Sequence, residues 1–202
     1  MKSSILYAGA ALACALGLSA CGGGDGDLPL AVSIAGGVTK AGLVLVNRGN
    51  GEEVSVPAGA PSVQFTKYLS TDDEFNIEVK TTPSNVDKCT VSNGKARANY
   101  YTVYTTVPSV FCTIKTHDLG VTVNGLTGAG LVLVNGSDKQ AVTANGGAPV
   151  TVTMGKVPED GPFGIQVYTD PDTQHCTVSG GTGTMTATGP SSAPVVTCGP
   201  KT

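Results

Sequence analysis

Phe75-Asn76-Ile77-Glu78-Val79-Lys80 alternates apolar and polar residues without a break, the period of a strand with one face packed and the other wet. Phe163-Gly164-Ile165-Gln166-Val167-Tyr168 does the same. Leu43-Val44-Leu45-Val46 is instead a continuous apolar run, bounded by Gly42 and by Asn47 with Gly49 close behind. It is too short for a core helix and reads as a buried strand. Ala31–Ile34, Glu53–Val56, Val63–Tyr68, Cys89–Ser92 and Val110–Ile114 are further strand-like runs, separated by turn residues. Beyond the amino-terminal apolar stretch, no window has helical periodicity.

These runs belong to a repeat. The string Ala41–Asn47 recurs as Ala129–Asn135, and a constant shift of 88 also aligns Ala60-Pro61 with Ala148-Pro149, Phe75 with Phe163 and Pro83 with Pro171. After one residue is lost, Cys89-Thr90-Val91-Ser92 falls on Cys176-Thr177-Val178-Ser179; after one more, Cys112 falls on Cys198. Each copy thus carries its own two cysteines, which predicts bridges Cys89–Cys112 and Cys176–Cys198 over the crossed pairings. Short strands at spacings near ten residues, punctuated by Gly, Pro, Asn and Asp, predict an all-β chain of two tandem antiparallel β-sandwich domains of the Ig-like architecture, each with one internal disulfide. The expected boundaries are 31–116 for the first repeat and 117–202 for the second. The absence of Trp and the close spacing of each Cys pair depart from antibody domains.

The amino terminus gives an address. Lys2 precedes an apolar stretch, Ile5–Leu18, too short to span a bilayer comfortably, and Ser19 and Ala20 lead into Cys21. This is a secretory signal over residues 1–20. Leu18-Ser19-Ala20-Cys21 resembles the lipobox of bacterial lipoproteins, which implies cleavage before Cys21, acylation of that residue (palmitate among the chains) and a stable membrane anchor. Residues 21–30, opening Cys21-Gly22-Gly23-Gly24-Asp25-Gly26-Asp27, are expected to be the lipidated Cys and a flexible tether. In that class an Asp after the lipidated Cys marks inner-membrane retention; Gly22 stands there instead. The resemblance therefore implies the outer membrane, on either its periplasmic face or the cell surface.

The candidate chemistry is sparse. With a net charge of −3 spread over scattered acids and bases and only two His, the chain has no basic patch for nucleic acid and no catalytic constellation. No cofactor and no metal are expected. The glycines of Gly125-Leu126-Thr127-Gly128-Ala129-Gly130 read as a strand turn, since no helix follows to make a phosphate loop. Asp72-Asp73-Glu74 and Asp170-x-Asp172 lack calcium-loop spacing and read as solvated turns. His117, in the junction between copies, and His175, beside a cysteine, read as surface residues. The copies differ most where the first has Tyr100-Tyr101-Thr102-Val103-Tyr104 and the second the Ser, Thr and Gly-rich stretch from Gly181 to Ser192. On a β-element Tyr100 and Tyr104 would share one face and Tyr101 the other. Exposed, these three would form a contact patch for a protein or glycan; otherwise the rings pack against the sandwich.

The repeat resembles a tandem module of exported, often lipid-anchored proteins of Gram-negative bacteria. Its opening is Val121-Thr122-Val123-Asn124-Gly125-Leu126-Thr127-Gly128-Ala129-Gly130-Leu131-Val132-Leu133-Val134-Asn135, its middle Phe163–Val167, then Pro171 with Cys176–Gly181, and Val195–Cys198 closes it. The first copy fits less closely, with an extra residue in Ala35–Lys40 and no Leu there. The resemblance brings no activity with it. The expectation is a non-catalytic, lipid-anchored envelope protein serving as a spacer or an adhesion/interaction module. The alternative is an enzyme, or an enzyme's accessory domain, acting on cell-wall or extracellular polysaccharide.

Overall fold

The computed structural model describes residues 28–201. The signal segment, Cys21 and most of the tether lie outside the described residues.

In the first repeat the strands are β1 (Ala31–Ala35), β2 (Leu43–Asn47), β3 (Glu52–Val56), β4 (Ser62–Gln64), β5 (Glu74–Thr81), β6 (Val86–Ser92), β7 (Lys95–Arg97) and β8 (Ser109–Ile114). They form two four-stranded sheets, ordered β4-β1-β8-β6 and β3-β2-β5-β7. The second repeat contains β9 (Thr116–Asn124), β10 (Val132–Asn135), β11 (Asp138–Ala141), β12 (Val150–Pro158), β13 (Pro162–Thr169), β14 (Gln174–Ser179), β15 (Thr182–Thr186), β16 (Gly189–Pro190) and β17 (Val195–Pro200). Its sheets, β12-β9-β17-β14 and β11-β10-β13-β15-β16, reproduce the first order strand for strand and add β16 at one edge. The chain is two copies of one sandwich, and a single residue, Lys115, separates β8 from β9.

Each sandwich has its own core because each sheet turns its alternate apolar residues inward. Leu30, Val32, Leu43, Leu45, Phe75, Ile77 and Val110 lie in the first. Leu119, Val121, Leu131, Leu133, Phe163, Ile165 and Val196 take the corresponding places in the second. The disulfides are Cys89–Cys112 and Cys176–Cys198. In both copies the cysteines are directly opposed register partners on neighbouring strands of one sheet, so the bridge staples a sheet rather than joining the two layers.

The recurrent string is explained by its last residue as much as by its apolar run. Asn47 is fully buried, and its Oδ1 accepts hydrogen bonds from the backbone N–H of Gly49 and of Asn76, both at 3.0 Å. Asn135 repeats the cross-strand bond, accepting from Gly164 N–H at 2.9 Å. Gly42 and Gly130 open the string at φ +116° and +97°, a conformation that favours glycine.

The structure departs from the sequence reading in four places. Each sandwich is not purely antiparallel, because its first strand pairs in parallel with its last, β1 with β8 and β9 with β17. Residues 28 and 30, expected in the tether, belong to the first sandwich: Leu28 bridges Leu69, and Leu30 is fully buried. The run expected over Val63–Tyr68 stops at Gln64, where the chain bends around the Glu52 carboxylate, which accepts from Thr66 N–H at 2.6 Å and Thr66 Oγ1 at 2.7 Å. Finally, the tyrosine-rich stretch is not a β-element.

The sandwiches meet through polar contacts. Lys40 Nζ, in the loop that carries the extra residue, lies 3.2 Å from the Glu159 carboxylate and 3.0 Å from that of Asp160. Asn85 Nδ2 donates to Asp160 at 2.9 Å, and Glu159 N–H donates to the Lys115 carbonyl at 2.8 Å.

Candidate interaction site

The two copies diverge at the edge of one sheet. In the second sandwich the outer side of β15 is covered by the chain that follows: Met185 pairs with Pro190, and Ser191 N–H donates to the Thr184 carbonyl at 2.9 Å. In the first, β7 is only three residues long and leads into a π-helical turn, Tyr101–Thr105. Its closing bond runs from Thr106 N–H to the Tyr101 carbonyl at 2.9 Å. Asn99 and Thr102 cap the turn reciprocally: Thr102 N–H donates to Asn99 Oδ1, and Asn99 N–H to Thr102 Oγ1, both at 3.0 Å. The Thr102 hydroxyl then donates to the Arg97 carbonyl at 2.8 Å. A side chain thus protects the edge that a strand protects in the other copy.

Packing decides which way the turn faces. Val103 is buried in the core that includes Ala98, the alignment position of the larger Met185. With Val103 inward, the rings face outward. Tyr100, Tyr101 and Tyr104 are 74%, 60% and 50% exposed, and the centroids of Tyr100 and Tyr104 are 5.0 Å apart with ring planes inclined by 41°. The alternating-face arrangement expected of a strand is replaced by i, i+4 neighbours on a helical turn. The signal that could have revealed this was Asn99-x-x-Thr102, two residues that bond to local backbone and so start turns.

The remaining candidates hold structure together. In the Gly125–Gly130 loop the Gln174 amide accepts from Thr127 and Gly128 N–H at 2.7 and 2.8 Å and donates to the Gly125 carbonyl at 2.7 Å. A Cβ on Gly125 would meet the Cys198 carbonyl at 2.6 Å. Asp170 accepts from Cys176 N–H at 2.8 Å, with His175 Nδ1 at 2.8 Å from its other oxygen. The Cys176 N–H foremost, and His175 after it, hold the Asp170 carboxyl below its ordinary value. Asp73 caps Ser70 N–H at 2.8 Å, and Glu74 pairs with Arg97. His117 is part-buried against Glu159, 3.4 Å away. Among the described residues no three His, Cys, Asp or Glu side chains are grouped to hold a metal.

A groove runs beside the tyrosine turn. One cleft of about 520 Å³ is lined by Arg48, Lys95 and Arg97 among others. A second of about 380 Å³ shares Gly49 and Glu74 with it and adds Lys67 and Tyr68. Arg97 is common to groove and turn, because its guanidinium borders the cleft while its carbonyl anchors Thr102.

No protein-family model matches the chain, and no curated protein matches it. Among solved structures it is similar to the C-terminal fragment of the pilus adhesin SpaC from Lactobacillus rhamnosus GG, at 9% identity and a TM-score of 0.33, over 84% of this chain and 95% of that one.

Proposed function

We propose that the chain is a non-catalytic envelope protein, anchored by lipid on Cys21 at the outer membrane, that presents the first sandwich for contact through Tyr100, Tyr101 and Tyr104. The observation that carries this reading is the arrangement of the turn, in which one buried valine and a reciprocal Asn99–Thr102 cap hold three tyrosine rings out in water. Leaving rings of that size exposed forgoes their burial, and a rigid aromatic surface of low entropic cost is what a recognition site uses. The lipobox tetrapeptide ending at Cys21 supports the anchor, and the oxidised cysteine pairs fit an exported chain.

The test is retention. Wild-type protein should cosediment with delipidated cell envelopes, Tyr100→Ser/Tyr101→Ser/Tyr104→Ser should not, and Tyr168→Ser, an exposed ring on the second sandwich, should behave as wild type. Equal retention of the triple variant would refute the contact site. Palmitate labelling that persists in Cys21→Ser would refute the anchor.

A further inference from the structure

Two departures of the first copy from the second converge on one edge. The first is the tyrosine turn. The second is the charge on the solvent face of the β2-β5-β7 sheet, where Arg48, Lys95 and Arg97 stand at positions occupied in the second copy by Gly136, Thr182 and Thr184. Tyr68, 58% exposed at the far end of the groove, likewise has Lys156 as its counterpart. We infer that the groove from Arg97 past Lys95 and Arg48 to Tyr68, together with the tyrosine turn, binds a polysaccharide whose sugar rings carry carboxylates. The inference rests on the tyrosine turn being the contact site and names the class of its partner.

Charge selects the acidic class. Arg48, Lys67, Lys95 and Arg97 border the two clefts beside the carboxylates of Asp73 and Glu74, and of these four cations only the two arginines are ion-paired among the described residues. Arg48 is held by Glu78 and Arg97 by Glu74, each at 2.8 Å, but Lys95 makes no ion pair among the described residues. With Lys67, which likewise makes none among the described residues, its ammonium supplies the free charge of the groove. Aromatic placement selects a polymer of rings: tyrosines at both ends offer flat apolar faces with a phenol at the edge, matching the C–H faces and hydroxyls of a pyranose. An added peptide strand fits less well, since the Arg97 carbonyl, which would receive its N–H, is already taken by Thr102 Oγ1.

The test uses the full chain purified in detergent, with polygalacturonate as the carboxylate polymer and dextran as the neutral one, followed by calorimetry. Polygalacturonate should bind and weaken as salt is raised, and dextran should not bind. Lys95→Ala should weaken binding about three- to fivefold, the worth of one exposed charge pair, with an unchanged thermal transition. Tyr68→Ser should weaken it by about tenfold. Equal binding of dextran that depends on the tyrosines would overturn the acidic class while leaving the contact site standing. Binding indifferent to salt and to Lys95→Ala would overturn the groove. Binding of neither polymer would overturn the inference altogether, and envelope retention of the triple tyrosine variant would still decide the contact site separately.

Discussion

Lys40 of the first sandwich reaches across to Glu159 of the second, with Nζ 3.2 Å from a carboxylate that is 3% exposed. The same ammonium lies 3.0 Å from Asp160, whose carboxylate also accepts from Asn85, itself fully buried. With only Lys115 between β8 and β9, these contacts brace the angle between the modules, because without Lys40 the buried Glu159 carboxylate keeps only His117, 3.4 Å away, beside it. Lys40→Ala should widen the range of interdomain angles, seen in small-angle scattering as a larger radius of gyration and a longer maximum dimension. An unchanged scattering profile would show that the joint is held without Lys40, by the short connection and the Asn85–Asp160 bond.

The same joint responds to alkali. Hydrogen bonding to Asp160 first, and to Glu159 after it, raises the Lys40 pKa above its ordinary 10.5. A raised folded pKa contributes stability that is complete below 10.5 and is lost as pH rises through the higher folded value. Wild-type scattering should therefore converge on that of Lys40→Ala in strong alkali and stay distinct at neutral pH. Profiles that differ equally at both extremes would contradict this.

The disulfides act within single sheets, so their contributions should be separable. Each closes a loop of 23 or 22 residues, worth about 3 kcal/mol in the chain-entropy account. Cys89→Ala/Cys112→Ala should lower the stability of the first sandwich by about that amount and leave the second sandwich's denaturant transition in place. A loss shared equally by both transitions would mean that the two modules unfold as one unit.

Much of this architecture was legible because the chain states it twice. The alternation at Phe75–Lys80 and at Phe163–Tyr168 gave β5 and β13, and collinear cysteines gave the pairing found. What escaped was set by single side chains acting over distance. The strand ending at Gln64 depends on Glu52 reaching across to Thr66, and β7 is too short to leave a periodic trace. The tyrosine stretch reads as β by residue type, yet Asn99, Thr102 and the buried Val103 make it a turn. The groove joins residues from β5, β7 and the turns after β2 and β4, and sequence adjacency does not reveal such a meeting.

Asn47 and Asn135 offer an internal comparison. Both pin their strand to the neighbouring one, but Asn47 accepts two backbone N–H groups and is fully buried, whereas Asn135 makes one such bond and is only partly buried. Asn47→Ala should cost about 2 to 3 kcal/mol and Asn135→Ala about 1 kcal/mol, in proportion to the donors left unpaired. Denaturant unfolding of the two variants measures the difference. Equal costs would mean that water replaces the lost acceptor at residue 47.

Asp170 makes the second sandwich sensitive to acid. The Cys176 N–H, and His175 beside it, lower its carboxyl pKa from 3.8. A depressed folded pKa contributes stability that is present above the unfolded value and is lost as pH falls through the folded one. The first copy has the uncharged Thr82 at the aligned position, so this effect belongs to one module. Asp170→Asn should destabilise the second sandwich at neutral pH, with the gap from wild type closing as pH falls below about 3.8. The measurement is a series of thermal melts from neutral to acid. A gap that persists unchanged through that range would show that the side chain acts through its shape and not its charge.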